Sequence, residues 1–350
     1  MGAGVARRRT LHPETMRTGT GLPDAAYFGA AIIRVIRKVK LAFARNTKWR
    51  GGMHIKLNRM AMAVLCFPLI LGNAPNTAIV PATGVLDGRV NDAAAHIQVS
   101  PAGFDNPTLS PEFVTRAHIS TDFLGHMVGL VAMVGNTAIK GKTGIARLLF
   151  ADASDKRRIV WFERAIAPGY DGLVGPGALS APRVTFILAP TQPGERAIKV
   201  PMATHEYAEG VDLDLGGQRV FAIWDPRRPV TLATAATAQA LAGGFGGSLH
   251  GSAQPVPVNF GLTRPARTMH LTRPLKVPGG NVSDVLVRVN DFGSAANIPD
   301  ADADANEIVV SAGGKKAKPR FWLTLGQDAL RGCSSIMFDR GNRTVTLMCR

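Results

Sequence analysis

The chain has 350 residues, 46% of them hydrophobic, and a net charge of +16 that invites a nucleic-acid partner. Residues 1–78 hold thirteen Lys/Arg against two acids, a net of +11, whereas residues 79–350 hold 28 against 23, a net of only +5. The basicity belongs to the leader, which removes the compositional case for nucleic-acid binding by the body. Many Gly and Pro with few aromatics favour short strands and turns over long helices.

In chain order, residues 1–52 read as an extension upstream of the true start, which falls at Met53 or Met60. A rival reading makes Ala30–Phe43 a basic amphipathic helix lying on a membrane. Residues 53–78 have the order of a secretory signal: a short basic segment from Met53 to Arg59, an apolar run from Met60 to Gly72, then small residues from Asn73 to Ala78. The run is too short to span a bilayer, which takes about 20 residues. Pro68 in its middle argues against a buried helix. Leu65 before Cys66, with apolar sequence beyond it, opposes a lipoprotein reading. The mature protein is then expected to be periplasmic or secreted, with no membrane span.

Beyond residue 79, short β-branched runs alternate with Gly, Pro and Asp/Asn turns. Two short helices are expected, over Pro111–Ala117 and Ala233–Leu241. Cys333 and Cys349 lie symmetrically about Gly341, in two strands around an Asp339-Arg-Gly-Asn342 turn. A hairpin there brings the cysteines together, and a disulfide fits an oxidising compartment; two buried free thiols are the alternative.

The two halves of the body read alike. Leu86–Gly103 followed by Pro107–Val114 and Leu213–Ala233 followed by a helix each give a hairpin, a strand ending in a polar–Pro pair, a Thr-Leu segment and a helical stretch. Each half closes on a hydrophobic-hydrophobic-Gly element, Leu173-Val-Gly175 and Thr324-Leu-Gly326, the second followed by Gln327-Asp-Ala-Leu330. This order resembles the lobes of pepsin-like and retropepsin-like aspartic peptidases. The resemblance implies a mostly β, bilobal protein with two barrel lobes, over residues 79–203 and 204–350, each with a short helix. It also implies that Leu173, Val174, Gly175, Leu325 and Gly326 line a binding cleft beneath a flap formed around Val131–Phe150.

Aspartic peptidases place two Asp-Thr/Ser-Gly triplets face to face, so that two carboxylates about 3 Å apart share a proton and act on one water. At the first triplet position this chain has Ser100-Pro101-Ala102. A serine hydroxyl holds no charge at neutral pH, Pro101 removes the bracing hydroxyl and a backbone N–H, and Ala102 adds a Cβ. Asp105 as a displaced substitute is disfavoured by its Asn-Pro neighbours, which read as a turn. The second position is Asp225-Pro226-Arg227. The carboxylate survives, but Arg227 and Arg228 stand close enough to pair with it and make it a poor proton shuttle. The alternative for Asp225 is a turn residue before Pro.

Other signals carry less. Gly135–Thr143 has five residues between its glycines where a phosphate loop has four, and both flanks read as extended. Asp300–Glu307 lacks the Gly and spacing of an EF-hand loop, and Lys315–Arg320 reads as a solvated basic loop. His96, His118, His126 and His250 lack metal-ligand spacing, so neither metal nor cofactor is expected.

Three functions are expected from this reading. The first is an exported, catalytically degenerate aspartic-peptidase-like monomer that holds an extended peptide or envelope protein between its lobes. The second is an active endopeptidase using Asp225 at an atypical site. The third is a structural envelope protein with a closed cleft.

Overall fold

The computed structural model describes residues 77–119, 130–134, 137–150, 153–289, 291, 293–302 and 319–350. The leader, the signal-like segment, Cys66, His126, and residues 135–136, 303–307 and 315–318 lie outside them. The protein is mostly β, with twenty strands and two short α-helices among the described residues.

A seven-stranded sheet holds the first half of the body. Strands β2 (Val85–Val90) and β3 (Ala93–Val99) form a hairpin whose turn residue Asn91 adopts φ 52°. Strand β3 runs parallel to β8 (Gly172–Val174), and β8 antiparallel to β4 (Thr108–Leu109). Strand β4 runs parallel to β7 (Ala153–Phe162), which pairs with the long β6 (Thr137–Phe150). β6 returns to β2 and closes a six-stranded barrel, with β5 (Leu130–Val134) paired to its outer end. Gly88 stands at the closing seam opposite Phe150, where a Cβ would come 2.2 Å from the ring. Helix α1 (Pro111–Arg116) begins as its sequence requires: Pro111 opens it and the Ser110 hydroxyl accepts from the Phe113 amide.

An eight-stranded sheet repeats that order. It runs β11 (Ala203–His205), β12 (Ala208–Leu215), β13 (Gln218–Trp224), β18 (Trp322–Leu325), β14 (Leu232–Thr234), β17 (Gly280–Arg288), β16 (Thr263–Val277) and β15 (Gly247–Pro257). From β12 onward each strand has a counterpart in the barrel with the same parallel or antiparallel sense. This sheet stays open. Helix α2 (Ala235–Phe245) packs against both β12 and β16, the two strands whose pairing would close it. The sequence places the helix at Ala233–Leu241; instead Leu232–Thr234 are strand, Thr234 caps the helix, and Gly246 ends it in the left-handed conformation at φ 71°.

A five-stranded sheet draws on the whole body: β1 (Thr77–Val80), β9 (Arg183–Ile187), β19 (Cys333–Asp339), β20 (Thr344–Cys349) and β10 (Arg196–Pro201). The expected hairpin is β19–β20, and the Cys333–Cys349 disulfide crosses its open end. Phe338 on β19 packs edge-on against Phe186 of β9 and Trp224 of β13, which joins this sheet's core to that of the eight-stranded sheet.

Candidate functional site

The loops that follow β3 and β13 occupy equivalent places. After β3, the Ser100 amide donates to the Val174 carbonyl at 3.0 Å; after β13, the Asp225 amide donates to the Leu325 carbonyl at 2.8 Å. One residue on, the Gly175 amide donates to Phe104, and near the corresponding Gly326 the Gln327 amide donates to Arg228, both at 2.8 Å. The two hydrophobic-hydrophobic-Gly elements therefore hold the two loops. Glycine is required where they touch. A Cβ on Gly175 would lie 2.4 Å from the Gly103 carbonyl oxygen, and one on Gly326 would lie 2.7 Å from that of Arg228. In the first loop the close approach is made by Gly103 and not at position 102, because a Cβ at 103 would meet the Val174 carbonyl at 2.4 Å. Ala102 turns its methyl instead toward Ala208, Phe221 and Ile223 of the eight-stranded sheet.

The chemistry at these loops is that of a closed ion pair. Asp225 is buried. Arg227 grips it as a fork, Nε to Oδ1 at 2.8 Å and Nη2 to Oδ2 at 3.1 Å, while its backbone amide donates to Oδ1 at 3.3 Å. The remaining arm, Nη1, donates to Oε1 of buried Gln98, two residues before Ser100 on β3. Ser100 itself is buried, and its hydroxyl accepts from the Ala102 amide at 3.1 Å. Pro101 and Pro226 each follow directly on these positions, and the Pro226 carbonyl accepts from the Gln327 side chain. Arg228 reaches across to the Pro257 carbonyl at 3.0 Å, and burial pulls its guanidinium below the usual range.

The Asp105 carboxyl lies against Gly177, where a Cβ would come 2.1 Å from Oδ1, and burial raises both it and Glu209 above the usual carboxylate range. The second loop is braced differently: the Asp328 carboxylate accepts from the Thr231 amide and hydroxyl, both at 2.9 Å.

Above the loops, the turn between β15 and β16 inserts Phe260 into an apolar cluster with Val134, Ile139, Phe162, Ile166, Ala167 and Leu173. The Phe260 ring meets Phe162 edge-on at 4.9 Å, and its backbone adopts φ 65°, a region bulky side chains avoid. Arg264 completes the contact by donating to the Val134 carbonyl and, at 2.7 Å, to the Thr137 hydroxyl at the start of β6. Of the phosphate-loop-like stretch, residues 137–143 are strand.

Sequence reasoning did not single out Gln98, Glu209 or Phe260. Glu209 carries a signal in hindsight, an acid between Ala208 and Gly210 in a strand whose first four residues are buried. Among the described residues no three His, Cys, Asp or Glu side chains gather as a metal-ligating group, and no helix is long and apolar enough to cross a membrane. Compared with known proteins, the chain matches no family model and no curated sequence.

Proposed function

We propose that this is a catalytically degenerate, pepsin-like protein of the cell envelope that works without peptide hydrolysis and rests with its cleft closed. The observation that carries the proposal is the Asp225–Arg227 fork, extended to Gln98. Both oxygens of Asp225 are taken up by hydrogen bonds from Arg227, which leaves the carboxylate poorly placed to activate a water, and at the equivalent position Ser100 supplies no second carboxylate to share a proton. The bilobal reading is supported by the matching strand order and the equivalent loop hydrogen bonds. Export is supported by the signal-like leader and the Cys333–Cys349 disulfide.

Closure is supported by Phe260, which fills the space between the β5–β6 hairpin and the β15–β16 turn. Holding an extended segment in the cleft is a second reading. It is favoured by the strained Phe260 backbone and by its long hydrogen bond to Ile166, at 3.4 Å, since strain in the tip lowers the cost of withdrawing it.

Digestion of casein and of a peptide library from pH 3 to pH 8 tests the main claim. No cleavage is expected from wild type. Cleavage that disappears in Asp225→Asn would defeat it. The same library, screened for binding to wild type and Phe260→Gly, separates the readings: binding by the variant alone supports the closed resting form, and binding by wild type supports an open cleft.

A further inference from the structure

Asp105 lies in the loop leaving β3, and its amide donates to the Tyr207 carbonyl at 2.7 Å, just before β12 of the neighbouring sheet. Two residues further, Glu209 is 4% exposed. Asp105 Oδ1 and Glu209 Oε2 are both buried, and neither atom has a hydrogen-bond partner among the described residues. The Asp105 carboxyl is pressed against the 3₁₀ turn Pro176–Ala178, where a Cβ on Gly177 would sit 2.1 Å from Oδ1. A buried carboxylate oxygen without a donor is costly, and two carboxylates at one seam do not both ionise readily.

The cations nearby direct their terminal nitrogens elsewhere, and Arg340 Nε is buried without a hydrogen-bond partner among the described residues. Arg340, in the β19–β20 turn, donates to the carbonyls of Gly177, Leu179 and Ala181. Arg157 on β7 donates to Asp155 and to the Gly177 carbonyl. Each contributes only a longer-range attraction, Arg340 to both carboxylates and Arg157 to Asp105.

We propose that Asp105 and Glu209 are a coupled pair of buried acids at the seam between the barrel and the eight-stranded sheet, at least one of them protonated at neutral pH, and that full ionisation above neutrality loosens that seam. Protonation of either group removes one of two buried charges that repel. Burial first, and then the Asp105 charge, pushes Glu209 up to about 7; burial pushes Asp105 up to about 6 against Arg340, the Gly177 amide and Arg157. Both values exceed the ordinary 3.8 and 4.5, so over this span the folded protein holds protons that the unfolded chain has released. Stability contributed by the pair is full below about pH 4, falls as pH rises through the folded values, and is gone above them. The inference does not depend on the peptidase-like reading.

Thermal unfolding of wild type, Asp105→Asn and Glu209→Gln between pH 5 and pH 8 tests it. Wild type is expected to lose roughly 5 °C more of its Tm over this range than either amide variant. Hydrogen exchange at the Asp105 amide, corrected for intrinsic pH dependence, is expected to quicken in wild type above pH 7 and to do so less in Glu209→Gln. If a variant fails to fold, the carboxyl carbon shifts of wild type decide, with at least one of the two groups expected to titrate near neutrality. Parallel Tm profiles in folded variants, or both carboxyls titrating below pH 5, would overturn the proposal.

Discussion

Arg227 binds Asp225 through two parallel hydrogen bonds and binds Gln98, 129 residues earlier in the chain, through its third arm. One guanidinium thus ties the ends of β3 and β13 together. Side-chain accessibility is 10% for Asp225 and 37% for Arg227, so the two partners are not equivalent when one is removed.

Truncating the arginine leaves a buried carboxylate without its fork, and truncating the acid leaves a half-exposed guanidinium that water can reach. Arg227→Ala is therefore expected to cost about 2–3 kcal/mol and Asp225→Ala about 1 kcal/mol. Urea unfolding of the two variants checks the order. Equal losses, or a larger loss for Asp225→Ala, would show that the pair is as well solvated as a surface one.

Glycines at the loops and in α2 should respond with opposite signs. Gly175→Ala drives a Cβ into the Gly103 carbonyl at 2.4 Å, backbone against backbone, and is expected to cost more than about 3 kcal/mol or to prevent folding. Gly243, exposed on α2, has open space around its Cβ position and an ordinary negative φ. Gly243→Ala is expected to stabilise by about 0.5–1 kcal/mol, the helix-propensity difference. Denaturant midpoints of the two variants on opposite sides of wild type confirm the assignment of both sites.

The disulfide joins residues separated by 16 positions, a short loop whose closure limits the unfolded chain. Its removal as Cys333→Ser/Cys349→Ser is expected to cost about 3 kcal/mol. The same loss should follow dithiothreitol treatment of wild type. A Tm unchanged on reduction would mean that the hairpin pairing alone sets the geometry.

Features whose cause is local were legible in the sequence. The β19–β20 hairpin follows from turn residues between strand-forming runs, and α1 from Ser110 and Pro111. The end of α2 was missed because Gly243 and Gly244 are poor helix formers, and the helix continues through them to the left-handed stop at Gly246. The candidate site depends on contacts between distant residues, and periodicity does not report those. Nothing near Gln98 announces Arg227, nothing near Glu209 announces Asp105, and the close approach of Gly103 appears only when β8 lies beside it. Phe260 was hidden for the opposite reason: its backbone conformation is one that its side chain does not favour, so local preference pointed away from it.

The five-stranded sheet sets an order of events for a chain made from its N-terminus. The strands of the barrel all come from residues 85–174. In the five-stranded sheet, β9 has β1 on one side and waits for β19 on the other, and β10 has no neighbour until β20 arrives. β19 and β20 follow all the other described strands and complete the sheet, so a chain cut before Cys333 would leave β9 and β10 with open edges prone to pair with other chains.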